Sequence, residues 1–140
     1  KGGYTTFAQR LKDYHVDYDI FASSYYPAWH GTLENLSAQL KAVAKGYGKQ
    51  VMVAETAWDH MTYETNATGA YAYSVQGQAE AIRSVVQTLH DIDGIGVFYW
   101  EPQTDGVWKP SKYAALGWSA YDKGAFKDGK ATEILAPFKE

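Results

Sequence analysis

Four consecutive apolar residues, Val51-Met52-Val53-Ala54, make a run with β-branched side chains and no polar alternation. Such a strand is expected where both faces of a sheet are covered, as in parallel sheets flanked by helices. Upstream, Phe7, Ala8 and Leu11 fall at helical spacing over residues 5–14, and residues 18–22 read as a short buried strand after Asp17. Thr32 is placed as an N-cap, with Leu33, Leu36, Leu40, Val43 and Ala44 on one helical face and Gly46 to Gly48 closing the helix. Downstream, Ala79, Ile82, Val85, Val86 and Leu89 mark another amphipathic helix, and residues 95–100 a third strand that ends at Glu101-Pro102. The rest reads as a Gly-rich loop and a short helix over 131–135, cut by Pro137. Strand, helix, strand, helix, strand is the order of parallel strands joined by crossover helices, in one domain over residues 1–140.

Residues 58–73 are polar, aromatic and turn-rich, without helical or strand period, and are expected to form a long loop. The net charge of -3 offers no field to gather phosphate backbones or anionic lipid, so neither nucleic acid nor membrane is expected as a partner. No apolar stretch is long enough to span a bilayer, and Lys1-Gly2-Gly3-Tyr4 has no signal-peptide core behind its charge, so an export signal is expected to lie upstream. With no cysteine there are no disulfides and no thiolate metal sites. The 12 Tyr, 5 Trp and 5 Phe are more telling, because aromatic rings crowded near strand ends can stack on sugar faces.

All three strands finish in polar or aromatic residues: Ser23-Ser24-Tyr25-Tyr26, Glu55-Thr56-Ala57-Trp58 and Tyr99-Trp100-Glu101. In parallel α/β architectures the C-terminal strand ends share one rim, so these groups are expected to converge on one site. Position alone leaves Glu55 two roles. A carboxylate at a strand mouth among Tyr and Trp suits a glycosidase, whose oxocarbenium-like transition state needs negative charge; an ion-paired strand-end Glu fits equally well. By period-two alternation Tyr26 points to the same side as Ser24 and is expected near Glu55, either orienting the carboxylate or packing at the mouth.

The run Asp17-Tyr18-Asp19-Ile20-Phe21-Ala22-Ser23-Ser24-Tyr25-Tyr26-Pro27-Ala28-Trp29-His30-Gly31-Thr32-Leu33 resembles the sixth-strand signature of family 53 of the glycoside hydrolases, the endo-β-1,4-galactanases. Val51-Met52-Val53-Ala54-Glu55-Thr56-Ala57 is similar to that family's seventh-strand nucleophile motif. Gly96-Val97-Phe98-Tyr99-Trp100-Glu101-Pro102 is similar to its eighth strand. The resemblance implies an α/β fold, the C-terminal portion (strands 6 to 8 with their helices) of a TIM (β/α)8 barrel, incomplete in this chain. It implies a secreted retaining hydrolase of galactan or arabinogalactan, without cofactor, with Glu55 as catalytic nucleophile. Ser24, Tyr26, Trp29, His30, Trp58, Asp59, Trp100 and Glu101 are the implied substrate-binding residues. Trp100 is a sugar platform on this basis. Trp58 and Asp59 line a further subsite, or Trp58 anchors its loop; Glu101 bonds a sugar hydroxyl or holds the loop after it, with Pro102 fixing its direction.

A retaining glycosidase needs a second carboxylate about 5 to 5.5 Å from the first. The resemblance places it after an Asn on the fourth strand, and neither Asn35-Leu36 nor Asn66-Ala67 supplies that pair. A complete barrel takes ~250 residues. The chain is therefore expected to be one piece of a larger polypeptide. Alone it is expected to leave a strand edge and an apolar face uncovered, to associate with its missing half-barrel or a second copy, and to hydrolyse no galactan. His60 and Glu64 lack a row of spaced acidic ligands, so no metal is expected there. Asn35-Leu36-Ser37 and Asn66-Ala67-Thr68 are formal glycosylation sequons. Two other classes stay open: a retaining β-glycanase of the same barrel clan acting on mannan, xylan or glucan, and a non-catalytic carbohydrate-binding fragment.

Overall fold

The computed structural model describes residues 3–58, 71–103 and 123–139. Helix α1 spans Gly3–Asp13, strand β1 Ile20–Ser24, helix α2 Leu33–Tyr47, strand β2 Gln50–Thr56, helix α3 Val75–His90 and strand β3 Val97–Tyr99. The strands form one parallel sheet in the order β1-β2-β3. The expected alternation of strands and crossover helices is therefore the observed one. β1 is displaced by two residues toward its C-terminal end relative to the apolar run over 18–22, and β3 is shorter at both ends than the run over 95–100. Hydrogen bonding to β2 sets their limits, and apolar character alone does not report it.

Local chemistry accounts for the helix ends. The Thr32 hydroxyl accepts the Asn35 N–H at 3.2 Å, filling one of the donors that a helix start leaves unpaired. At the other end Gly48 adopts φ 64, the left-handed turn that closes α2, and gives its N–H to the Ala44 carbonyl at 2.9 Å. Ser74 caps α3 through Gly77 N–H at 3.0 Å. A Cβ at Gly77 would lie 1.9 Å from the Ala72 carbonyl oxygen, so only glycine lets the first turn of α3 approach that backbone.

The helices pack on one face of the sheet. Phe21, Val51 and Val53 point into a core shared with Ala8, Leu36, Leu40, Val43, Val85 and Leu89. The opposite face carries Ile20, Ala22, Ala54 and Phe98, all exposed, with Phe98 at 63%. Two-sided burial, expected for β2, is thus met on the helix side alone among the described residues.

Two further elements depart from expectation. The segment read as Gly-rich loop contains a short antiparallel hairpin, β4 (Phe126–Lys127) with β5 (Lys130–Ala131), turning through Asp128 and Gly129 at φ 51 and 71. A 3-10 helix, Glu133–Phe138, follows with Pro137 inside it instead of cutting it. Such a short, loosely bonded turn has little need of the N–H that proline lacks. Its Ile134 is fully buried against Ile82 and Ala125.

Candidate active site

β2 holds one residue more than either neighbour across its last turn of pleat. Ser23 pairs with Val53 but Ser24 with Glu55; on the other side Val53 pairs with Val97 and Thr56 with Tyr99. Simple alternation from Val51 and Val53 would send the Glu55 side chain to the helix face. The bulge re-aims it to the side of Ser24, on the open face, and returns Thr56 to the buried side.

There the Tyr26 hydroxyl donates to Glu55 Oε1 at 2.5 Å. Among the described residues no cation pairs with this half-buried carboxylate. The two strand ends are also tied through backbone, the Tyr25 N–H meeting the Glu55 carbonyl at 2.8 Å and the Trp100 N–H the Thr56 carbonyl at 2.8 Å. Trp29, 52% exposed, lies with its ring centre 5.0 Å from that of Tyr26. His30 follows, exposed, its ring 5.8 Å from Tyr26. Ser24 is exposed and its carbonyl accepts the Tyr4 hydroxyl at 2.6 Å. Trp100 and Glu101 are half-buried at the end of β3.

Glu101 takes φ 49, not the extended backbone expected of a residue before proline. A left-handed, non-glycine residue at a strand end is a strained position of the kind that collects at functional sites. Its negative charge reaches Tyr26, where it is one of the influences on the phenol. Burial is the largest of these and pushes the Tyr26 pKa well above its ordinary value. The hydrogen bond to Glu55 and the charge of Glu55 act in the same direction, followed by Glu101 and Tyr99. Tyr26 is held as a neutral hydrogen-bond donor. A folded-state value above the unfolded one means that its stabilisation is complete below about pH 10 and lost as pH rises beyond it, at no more than about 1.4 kcal/mol per pH unit. Tyr26→Phe is accordingly expected to flatten the decline in urea midpoint between about pH 9 and about pH 11. An unchanged slope would remove Tyr26 from the groups responsible.

Trp58 stands apart from the open rim. It is 2% exposed, stacked on Tyr73 with ring centres 5.5 Å apart at 12°, and edge-on to Tyr71. Its indole N–H donates to the Ala72 carbonyl at 3.0 Å, and its own carbonyl accepts Gln78 Nε2 at 2.7 Å. Of the two roles expected of Trp58, this is the anchoring one: both ring faces and the N–H are occupied by protein, which corrects its placement among the sugar contacts. Asp59, His60, Glu64 and the second sequon lie outside the described residues.

Lys123 was missed in the sequence. It is 9% exposed, its Nζ stands 5.7 Å from the Trp29 ring centre, and the Tyr99 hydroxyl lies within reach of both its carbonyl and that of Trp58. No periodicity or motif marks it, since contact with Trp29 arises only when residues 94 positions apart in the chain meet. Beside the end of β1, a cavity of about 550 Å³ is walled by Tyr4, Ser24, Trp29, His30, Thr32 and Gln39; Glu55 does not line it. Among the described residues no group of three His, Asp or Glu is close enough to hold a metal ion, and no helix is long and apolar enough to cross a membrane.

A carboxylate braced by a tyrosine, beside an exposed indole at the C-terminal rim of a parallel sheet, is an arrangement able to attack or stabilise a sugar's anomeric carbon. Known proteins place the chain in a family. An endo-β-1,4-galactanase of Bacillus subtilis (strain 168) is 49% identical over an alignment of 113 residues that covers 72% of this chain and 26% of that protein. The chain thus spans about a quarter of that relative's length. The GH53 catalytic domain of Ignisphaera aggregans superposes on 97% of this chain and 42% of its own with a TM-score of 0.77 at 28% identity. A structure of fungal β-1,4-galactanases superposes on 96% of this chain and 42% of its own, with a TM-score of 0.74 at 27% identity. The three parallel strands with their helices are a portion of a TIM barrel. The model of glycosyl hydrolase family 53 matches residues 1–138, and the chain belongs to that family.

Proposed function

We propose that the polypeptide carrying these residues cleaves β-1,4-galactan within the chain and with retention, Glu55 being its nucleophile. β1, β2 and β3 then stand as the sixth, seventh and eighth strands of the barrel. The observation that carries this is the 2.5 Å hydrogen bond from Tyr26 to Glu55 on a bulged strand end. With Oε1 engaged by the phenol, Oε2 is the oxygen left to attack the anomeric carbon. As it does so, an acid carboxyl from a strand earlier in the barrel protonates the departing sugar oxygen. The same group then takes a proton from water, which displaces Glu55 and restores both carboxyls.

Trp29 and Trp100 offer indole faces to galactose rings, and Ser24, His30, Asp59 and Glu101 are the polar groups assigned to its hydroxyls. The 140 residues alone turn over no galactan, since one carboxyl cannot serve both roles. Work on a polysaccharide too large to cross a membrane places the enzyme outside the cell.

The test is the configuration of the first product. Proton NMR within the first minutes of hydrolysis should show the β anomer ahead of mutarotation, on galactan and not on mannan, xylan or glucan. An initial α anomer overturns the nucleophile role, and preference for another polymer overturns the substrate.

A further inference from the structure

His30 does more than border the site. β1 ends at Ser24, and Tyr25 makes the last cross-strand bond, from its N–H to the Glu55 carbonyl at 2.8 Å. The next N–H, that of Tyr26, lies in a residue only 8% exposed and is taken by the ring of His30, with Nδ1 accepting at 3.0 Å. In return the backbone N–H of His30 donates to the Tyr26 carbonyl at 2.9 Å, joined there by the N–H of Trp29 at 3.0 Å. Both backbone polar groups of Tyr26 are thereby bound by the segment that follows it. Gly31, at φ 80, turns the chain away directly after His30, and its carbonyl accepts the Tyr25 hydroxyl at 2.9 Å.

We propose that His30 is a positioning residue: its Nδ1 fixes the backbone of Tyr26, and through it the phenol that holds Oε1 of Glu55. This rests on Glu55 being the nucleophile. For Nδ1 to accept, it must be bare, so the ring is the neutral tautomer with its proton on Nε2. A buried N–H left without an acceptor is costly, and the backbone moves to find one. Any such shift is carried directly to a 2.5 Å contact on the attacking carboxylate, where displacement by about 1 Å is enough to cost on the order of a hundredfold in rate. His30 has a second face as well, since Nε2–H remains for a sugar hydroxyl. Substitutions separate the two roles, because the asparagine amide reproduces the place of Nδ1 and the glutamine amide that of Nε2.

In the intact galactan-hydrolysing polypeptide, His30→Asn should restore most of the kcat lost in His30→Ala, with KM raised by loss of the Nε2 contact. His30→Gln and His30→Ala should lower kcat by roughly ten- to a hundredfold. The reverse order, with Gln active and Asn impaired, makes His30 a sugar contact and overturns the proposal, as do three variants with unaltered kcat. Glu55→Gln measured alongside separates the two levels: full turnover by that variant removes the nucleophile, while its loss combined with an indifferent His30 series removes only the clamp. Should the variants unfold, 15N NMR of the unsubstituted polypeptide still decides. A bare Nδ1 coupled across the hydrogen bond to the Tyr26 amide is expected, and a protonated Nδ1 with bare Nε2 refutes it.

Discussion

Glu55→Gln is expected, on the proposed function, to lower galactan turnover by the intact polypeptide on the order of 10⁴- to 10⁶-fold, the range for removing a nucleophile from an enzyme that acts through one. The substitution is chosen because it preserves nearly everything else. Glutamine has the same volume, and its carbonyl still accepts from the Tyr26 hydroxyl, which donates to Glu55 Oε1 at 2.5 Å in the unsubstituted chain. The bulge that aims this residue to the open face belongs to the backbone and persists. What disappears is the negative charge facing the anomeric carbon and the oxygen able to bond to it. Thermal stability should stay close to that of the parent, so that loss of rate is not loss of fold. If the chain were a carbohydrate-binding fragment, the same substitution would leave binding of the polymer as it was and there would be no rate to lose. A variant whose initial rate on galactan stays within tenfold of the parent ends the case for Glu55.

The second large effect is on stability. Trp58→Ala is expected to cost about 3 to 5 kcal/mol, the usual penalty for truncating a buried tryptophan. That is a large share of the roughly 5 to 15 kcal/mol that holds a domain together. Trp58 joins the end of β2 to the start of α3: its ring lies on Tyr73, its N–H binds Ala72, and its carbonyl is held by the fully buried Gln78. The first turn of α3 can come this close only because Gly77 carries no Cβ against Ala72. Only Thr56 and Ala57 separate Trp58 from Glu55, so loosening the anchor also loosens the strand end that presents the carboxylate. Trp58→Phe keeps most of the buried area and loses the indole hydrogen bond, for a smaller cost of about 0.5 to 1.5 kcal/mol. Urea unfolding of both variants checks the order. An unmoved midpoint in Trp58→Ala, with KM raised instead, returns Trp58 to the substrate side.

Much of this molecule is legible in its residue order. The apolar stripe Leu36, Leu40 and Val43 lies in the core, Thr32 caps and Gly48 closes the helix that carries it, and the strand-helix alternation gives a parallel sheet. These features depend on contacts within one turn or on a period that repeats along one element, and such information is local. The three strand ends also meet at one rim, as parallel topology requires of any such chain.

Other features have no local cause. Nothing in Val51-Met52-Val53-Ala54-Glu55 announces that Ala54 is the extra residue; the bulge exists only relative to the registers of β1 and β3, and it decides which way Glu55 faces. Trp58 and Trp29 are the same amino acid in similar loops, yet one is 2% and the other 52% exposed, because residues from 71 to 78 close over the first. His30 looks like a surface histidine until its ring is seen to accept the N–H of Tyr26. Period and capping determine which segments become helices and strands, since those energies are summed over near neighbours. The aim of each side chain at the site was decided by register and packing between segments far apart in the chain, which is where tertiary structure adds what no window of sequence contains.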